Sequence, residues 1–259
     1  MKEQSSTSIT VAKVFTIIDV LSIAAQDGLS LVEISKQLGM SKSTVYRYLI
    51  TLESLGIAER NTSERYYLGP RIIELTGRYL AKNDLRNTSL PFMNELVRQC
   101  QETVHLAVPS GNEVVYIGKV ESEQPIQMYS FIGARLPMYC TALGKAILAF
   151  SDPERIALLI KTPLMQRTKN TIASWDGLSV ELARIREVGY AIDDEENEDG
   201  VRCVGAPIFD FNQKVIGAIS ISGPATRMTM ERLEELGPLV HETASQISLR
   251  MGDARLKEK

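Results

Sequence analysis

Near the start of the chain, apolar positions recur at helical spacing in three successive stretches. Val11, Val14, Phe15, Ile18 and Leu21 predict one helix. Leu31, Ile34 and Leu38 predict a second, opened by the capping-box pattern Ser30-x-x-Glu33 and closed by Gly39. Val45, Tyr48, Leu49 and Leu52 lie on one side of a third, which Ser41 caps and Gly56 ends. Its opposite side carries Ser43, Tyr46, Arg47 and Ile50, flanked by Lys42 and Thr44. Two strand-like runs, 57–60 and 65–68, surround the turn-like Asn61-Thr62-Ser63-Glu64. Three helices and then a hairpin make a winged helix-turn-helix. Ser41, Lys42, Ser43 and Thr44 would reach phosphates in a major groove, and Tyr46 or Arg47 base edges. Arg60 and Arg65 on the wing would lie beside the backbone. A generic helical hairpin with a solvated polar face is the bland alternative, but turn, caps and both helix faces agree on DNA.

Gly69-Pro70 ends the wing. Ile72, Leu75 and Tyr79 predict a linker helix over 71–81. A helix over 87–101 would bury Met93, Leu96, Val97 and Cys100, with Pro91 tolerated in its first turns. Strand-like runs follow at 103–108, 114–120 and 126–131, then helices at 142–150, 153–160 and 178–188. Two long apolar strands at 201–209 and 215–222 flank the turn Asp210-Phe211-Asn212-Gln213. A final helix from 230 to about 251 contains Pro238, which should kink it. This order predicts an α+β unit with an antiparallel or mixed sheet and helices packed on it. The expected organisation is a flexible arm over 1–8, a DNA-binding domain over 9–69, the linker helix over 70–83, a second domain over 84–252 and a tail over 253–259.

Composition narrows the function. The chain is 44% hydrophobic and 24% charged with a formal net charge of −3, so bulk charge does not drive DNA affinity. Residues 1–80 hold 9 Lys+Arg against 8 Asp+Glu, or +1, and the remainder 20 against 24, or −4. Local placement of charge, and dimerisation, must supply binding. No apolar run approaches the ~20 residues of a membrane span, and the first ten residues hold no apolar signal region, so a cytoplasmic protein without a membrane partner is expected. Cys100, Cys140 and Cys203 are odd in number and far apart, which fits a reducing compartment. The two histidines, His105 and His241, belong to no metalloprotease pattern, and nucleophile-elbow, Walker and dinucleotide motifs are missing. No catalytic residue, metal or cofactor is therefore predicted. Thr141-Ala142-Leu143-Gly144-Lys145 resembles the end of a phosphate loop, but Tyr139 stands where its leading glycine belongs, so Lys145 reads as a helix-surface lysine. The acidic run 193–200 fails as a calcium loop, because Ala206 falls where a bidentate Glu is required, and reads as a solvated loop. Arg202 would pair with that run or with an acidic ligand. Cys203, Ser220 and Ser222 read first as ordinary strand residues.

Five segments carry a more specific signal: S-K-S-T-V-Y-R-Y-L from Ser41, Y-x-L-G ending at Gly69, I-G-A-R-L-P-M-Y-C-T-A-L-G-K-A-I-L from Ile132, G-Y-A-I-D-D-E-E-N-E-D-G-V-R-C-V-G-A-P-I-F-D from Gly189 and A-I-S-I-S-G-P from Ala218. With them the chain resembles the IclR family of bacterial transcription regulators over nearly its whole length, and within it the repressors of sugar-acid catabolism. The resemblance implies a winged helix, a linker helix and a GAF-like domain that binds a small-molecule effector such as a 2-keto or sugar acid. It also implies homodimers or homotetramers on palindromic double-stranded operators. Ala142 and Leu143 match the positions where a loop enters a helix and N–H groups meet the ligand carboxylate, a placement that suits an anion on physical grounds as well. Asp193, Cys203, Ser220 and Ser222 match the far side of the pocket, with Met128 and Val201 as apolar walls. The family's small-keto-acid binders commonly carry a smaller Gly-Ala pair at Ala142-Leu143, so pyruvate or glyoxylate is not implied. An aromatic-acid effector, a second domain that is only an oligomerisation scaffold, and an enzyme with a fused winged helix are the competing readings.

Overall fold

The Ser30 side chain accepts from the Glu33 N–H, and the Glu33 carboxylate reaches back to the Ser30 N–H at 2.7 Å, closing the capping box that the sequence predicts. In the computed structural model, which describes residues 8–24, 27–81, 84–124, 130–160 and 162–253, this box opens helix α2 (Leu31–Leu38). Gly39 then adopts a left-handed φ of 61°, which glycine reaches without penalty, and ends it. Ser41 caps α3 (Lys42–Ser54) by accepting from the Thr44 N–H. With α1 (Ile9–Ser22) these helices bury Ile17, Leu21, Ile34, Val45, Leu49 and Leu52 in one core. A three-stranded sheet closes it: β1 (Leu29–Ser30), β2 (Ala58–Arg60) and β3 (Arg65–Leu68), in the order β1-β3-β2. The two-residue β1 was not predicted. Helix α4 (Arg71–Ala81) completes the first of two compact units, 1–82 and 83–259.

The first helix keeps most of its expected stripe: Leu21 is buried and Val14 and Ile18 pack against the core, but Val11 and Phe15 are 54% and 59% exposed, and Ile17, outside the stripe, is buried. The segment is apolar on nearly every side, so period alone does not choose its face. The tightest fit, one turn apart at Ile17 and Leu21, does.

The second unit is a six-stranded sheet in the order β6-β5-β4-β9-β8-β7, antiparallel at every pairing. Its strands are β4 (Thr103–Ser110), β5 (Glu113–Val120), β6 (Arg135–Pro137), β7 (Ala191–Asp194), β8 (Val201–Phe209) and β9 (Val215–Pro224). Helices α5 (Asp84–Cys100) and α9 (Met230–Arg250) cover one face. The other face carries α6 (Ala142–Ala149) and α8 (Trp175–Val188), with α7 (Pro153–Ile160) packing through Leu159. The sheet alternates as strands must. Val104, Leu106, Val204, Ile208, Ile219 and Ile221 pack against α5 and α9. Their neighbours in sequence, His105, Cys203, Ser220 and Ser222, point the other way.

Several predicted elements change. Most of the expected strand at 126–131 lies outside the described residues, and Ser130 and Phe131 are not strand. The short strands β6 and β7 were missed, because three or four residues carry too little pattern. Helix α5 starts before residue 87, so Pro91 lies inside it; α9 spans Met230–Arg250 with Pro238 inside it, as expected. Among the described residues no helix is long and apolar enough to cross a membrane.

Lys145 is not a surface lysine. Every residue of α6 is buried between the sheet and α8, and Lys145 is 1% exposed. Its ammonium pairs with Glu196 and lies 3.5 Å from Glu181, which Arg184 holds with two bonds of 2.8 and 2.9 Å. Removing one member strands the others' charge away from water. Lys145→Ala should therefore lower the stability of the second unit by ~3–5 kcal/mol in urea titrations. A loss below ~1 kcal/mol would mean that water reaches these charges.

Candidate functional site

Helix α3 turns its polar side fully outward. Ser41, Lys42, Ser43, Tyr46, Arg47 and Ile50 are exposed, while Val45, Leu49 and Leu52 anchor the opposite side in the core. Ser41, Ser43 and Thr44 share hydroxyl contacts of 3.1 and 2.8 Å, so these groups are ordered around the cap. The Arg47 guanidinium lies 5.7 Å from the Tyr48 ring centroid. The two wing arginines differ. Arg60 is exposed between Glu53 and Glu64, at 3.6 and 3.3 Å. Arg65 binds Glu33 at 3.0 Å and the Gly28 carbonyl at 3.1 Å, fastening β3 to the start of α2.

In the second unit, strand pairing gathers small and polar side chains. Asp193 is opposite Cys203, and Cys203 opposite Ser222. Ser220 is opposite both Gly205 and His105. Above this patch starts α6. Thr141 caps it, its hydroxyl accepting from the Gly144 N–H at 3.1 Å and donating to the Pro137 carbonyl at 2.8 Å. The helix begins close to the sheet because β8 has glycine there: a Cβ on Gly205 would come within 3.2 Å of the Ala142 carbonyl carbon and 3.3 Å of the Leu143 nitrogen. Between helix start and strands lies a cavity of about 260 Å³. Ala142, Leu143, Asp193, Val201, Cys203, Ser220 and Ser222 all line it; Met128 lies outside the described residues.

Sequence reasoning missed His105, Tyr116, Ser130, Thr141, Arg135, Asn197 and Glu198, which also line it. His105 is 1% exposed and stacks on Tyr116 with ring centroids 4.6 Å apart. Its alternation with Val104 and Leu106 hinted at the opposite face, but only the pairing with Ser220 places it at the cavity. The acidic run is solvated only at its end, Glu198–Gly200, while Asp193 and Glu196 are buried. The Asp193 carboxylate accepts from the Glu196 and Asn197 N–H groups at 2.8 and 3.4 Å, and Thr168 and Thr171 donate to the Glu195 and Glu196 carbonyls at 2.6 Å. Arg202 pairs with Asp194 and Glu195 at 2.6 and 3.2 Å. It does not line the cavity.

The cavity has little positive side-chain charge. Arg135, its cationic liner among the described residues, is tied to Glu113 at 2.7 Å. Burial, with Lys119 adding, pushes His105 down to about 3, so its ring is neutral. Burial and the neighbouring Glu196 carboxylate push Asp193 up to about 7, against the pull of Lys145 and two N–H donors. The first turn of α6, whose N–H groups lack acceptors within the helix, puts a positive partial charge at one side of the cavity. Asp193, Ser220 and Ser222 line the strand side.

A winged helix followed by an α+β unit with a cavity between sheet and helix defines a two-part DNA-binding regulator. The family model for the IclR helix-turn-helix domain matches residues 10–62, and that for the bacterial transcriptional regulator IclR C-terminal region matches 77–249. The chain belongs to the IclR family, and it is a DNA-binding transcriptional regulator rather than an enzyme. It is 40% identical over 253 residues to the HTH-type transcriptional regulator KdgR of Escherichia coli (strain K12), covering 97% of this chain and 95% of the relative. The HTH-type transcriptional repressor AllR of the same strain is 33% identical, covering 86% and 83%. The crystal structure of the Thermotoga maritima IclR superposes with a TM-score of 0.78 at 39% identity, over 94% of this chain and 98% of that one.

The raised Asp193 predicts a pH dependence. An unfolded aspartate releases its proton near ~3.9, while the folded chain holds this one to about 7. Between those values the folded state binds the extra proton, so this contribution to stability is present at low pH and lost as pH rises to 7. Asp193→Asn keeps the carbonyl that accepts from Glu196 and cannot ionise. Its melting temperature, without ligand, should exceed that of the parent by a margin growing from pH 4 to 7 and level above. A margin independent of pH would show that Asp193 titrates as an ordinary surface carboxyl.

Proposed function

We propose that this protein is a cytoplasmic repressor of a carbon-source catabolic operon, acting as a homo-oligomer on a palindromic operator and controlled by a small carboxylate or sugar acid. The observation that carries this reading is the α6 N-terminus and Asp193, Ser220 and Ser222 lining one cavity. A carboxylate at the Ala142 and Leu143 N–H groups would be stabilised by the helix end. Hydroxyls would meet Asp193 and the two serines, with Val201 and Cys203 as walls. Similarity to KdgR and to the repressor AllR supports the repressor assignment. Ser41–Thr44 would bind phosphates, Tyr46 and Arg47 base edges, and Arg60 the flanking backbone, with Arg65 chiefly bracing the wing. The segments 9–69, 70–83 and 84–252 would act as reader, linker and sensor. A coupling of ~1–3 kcal/mol between effector and DNA changes operator affinity about 5–150-fold.

Binding to the protein's own upstream intergenic DNA, followed by fluorescence anisotropy at fixed salt with 2-keto, sugar and aromatic acids added singly, tests this reading. One sugar or keto acid should shift specific affinity. A shift by aromatic acids alone would replace the effector class, and specific binding that no acid alters would leave the second unit a scaffold. Arg47→Ala should weaken operator binding by ~1–3 kcal/mol if the guanidinium reads a base; unchanged affinity would remove α3 from the groove. Ser220→Ala should blunt the effector response and spare DNA affinity, and an intact response would take Ser220 out of the site.

A further inference from the structure

His105 joins two parts of the cavity that are far apart in sequence. Its Nε2 lies 2.8 Å from the Ser130 hydroxyl and its Nδ1 3.3 Å from the Ser222 hydroxyl, which is 3.5 Å from that of Ser220. Lys119 holds the Ser130 carbonyl at 2.8 Å, so Ser130 is gripped through both backbone and side chain. The result is a continuous chain, Ser130–His105–Ser222–Ser220, running from the segment that carries exposed Phe131 to the strand patch beneath α6. Tyr116 holds the imidazole flat from one side.

The proton count of this chain is restrictive. A neutral imidazole donates at one nitrogen and accepts at the other. With the Cys203 thiol, which also hydrogen-bonds Ser222, three hydroxyls and one ring N–H supply five protons for four links, which leaves one proton directed out of the chain. With Ser130 donating to Nε2, Nδ1–H donates to Ser222, Ser222 donates to Ser220, and Ser220 offers its proton to the cavity. With the other tautomer every link reverses and Ser220 offers a lone pair. A ligand hydroxyl, donor and acceptor at once, satisfies either polarity. A methylene satisfies neither and leaves the outward proton or lone pair of Ser220 unmatched.

We propose that His105 is a positioning residue that sets ligand specificity: through the chain from Ser130 to Ser220 it makes the cavity select a hydroxylated acid over its deoxygenated counterpart. The inference rests on the effector reading of the cavity given above. A site built to hydrogen-bond a hydroxyl rejects the analogue lacking it far better than an apolar pocket rejects the reverse.

The test compares matched acids, D-gluconate against hexanoate and L-lactate against propionate, by calorimetric titration of the full-length protein and two variants. The parent should favour the hydroxylated member of at least one pair by on the order of tenfold. His105→Phe keeps the ring stacked on Tyr116 but deletes both polar atoms, and should bring that ratio close to one while leaving the affinity for the deoxygenated acid nearly unchanged. Ser130→Ala, which trims only the far end of the chain, should lower the ratio in part. A ratio preserved in both variants overturns the role of His105 and leaves the effector reading standing. Failure of the parent to bind any acid in the wider panel overturns the effector reading instead, and this inference with it. A ligand-free check covers the case in which His105→Phe does not fold. Imidazole nitrogen spectra of the full chain contain only His105 and His241, because the sequence has two histidines. His105 should stay neutral from pH 8 to pH 5, and protonation within that range would break the chain and overturn the proposal.

Discussion

The two faces of the six-stranded sheet are unequal, and the cavity exists because of that inequality. On β4, β8 and β9 one set of alternating positions is branched and apolar and packs against α5 and α9. The other set contains His105, Cys203, Gly205, Ser220 and Ser222. Apart from His105 these side chains are too small to fill the space under a helix, and close packing elsewhere prevents collapse onto them. What remains is a hollow of mixed lining with the start of α6 above it. Gly205 lets the helix start lie close, and Gly144, where a side chain would run into the Met138 backbone, lets α6 pack against the segment leading into it.

Charge placement around the hollow follows the same geometry. Burying Lys145 is costly unless its charge is matched, and two carboxylates match it. Glu196 belongs to the turn whose N–H groups Asp193 receives, so the ion cluster and the cavity wall share one short loop. A group entering the cavity and competing for Asp193 would act on that loop directly. With Arg135, the cationic liner among the described residues, tied to Glu113, the α6 N-terminus offers an anion direction as well as charge.

The first unit solves a different problem, the presentation of a few contacts from a small rigid core. Val45, Leu49 and Leu52 lock α3 so that Arg47, Tyr46 and the hydroxyls near Ser41 leave the surface in fixed directions. The wing is stiffened from within, since Arg65 spends its donors on Glu33 and Gly28. That division explains how a chain of net charge −3 can serve as a DNA reader. Affinity for a polyanion here depends on where a few cations stand, and two copies on a palindrome would double them.

Local chemistry made much of this architecture legible. Capping boxes, glycine stops and helical or alternating periods act over one or two turns, so the Ser30–Glu33 box, α3 with its two faces, the wing and the long strands β8 and β9 could be read directly. The motifs around Ala142, Asp193 and Ser220 pointed to a pocket through family resemblance. Other features depended on contacts between distant segments. The buried face of α1, the burial of Lys145, the order imposed on the acidic loop and the arrival of His105 opposite Ser220 all follow from pairing and packing, for which no local pattern exists. The sequence by itself determined the longer elements, the two faces of α3 and the class of protein, because those follow from short-range periodicity and motif. Only the tertiary structure decided which polar groups lost their water and which gained each other, because desolvation and hydrogen bonding across strands are set by neighbours that the chain brings together from more than a hundred residues away, as with His105 and Ser222.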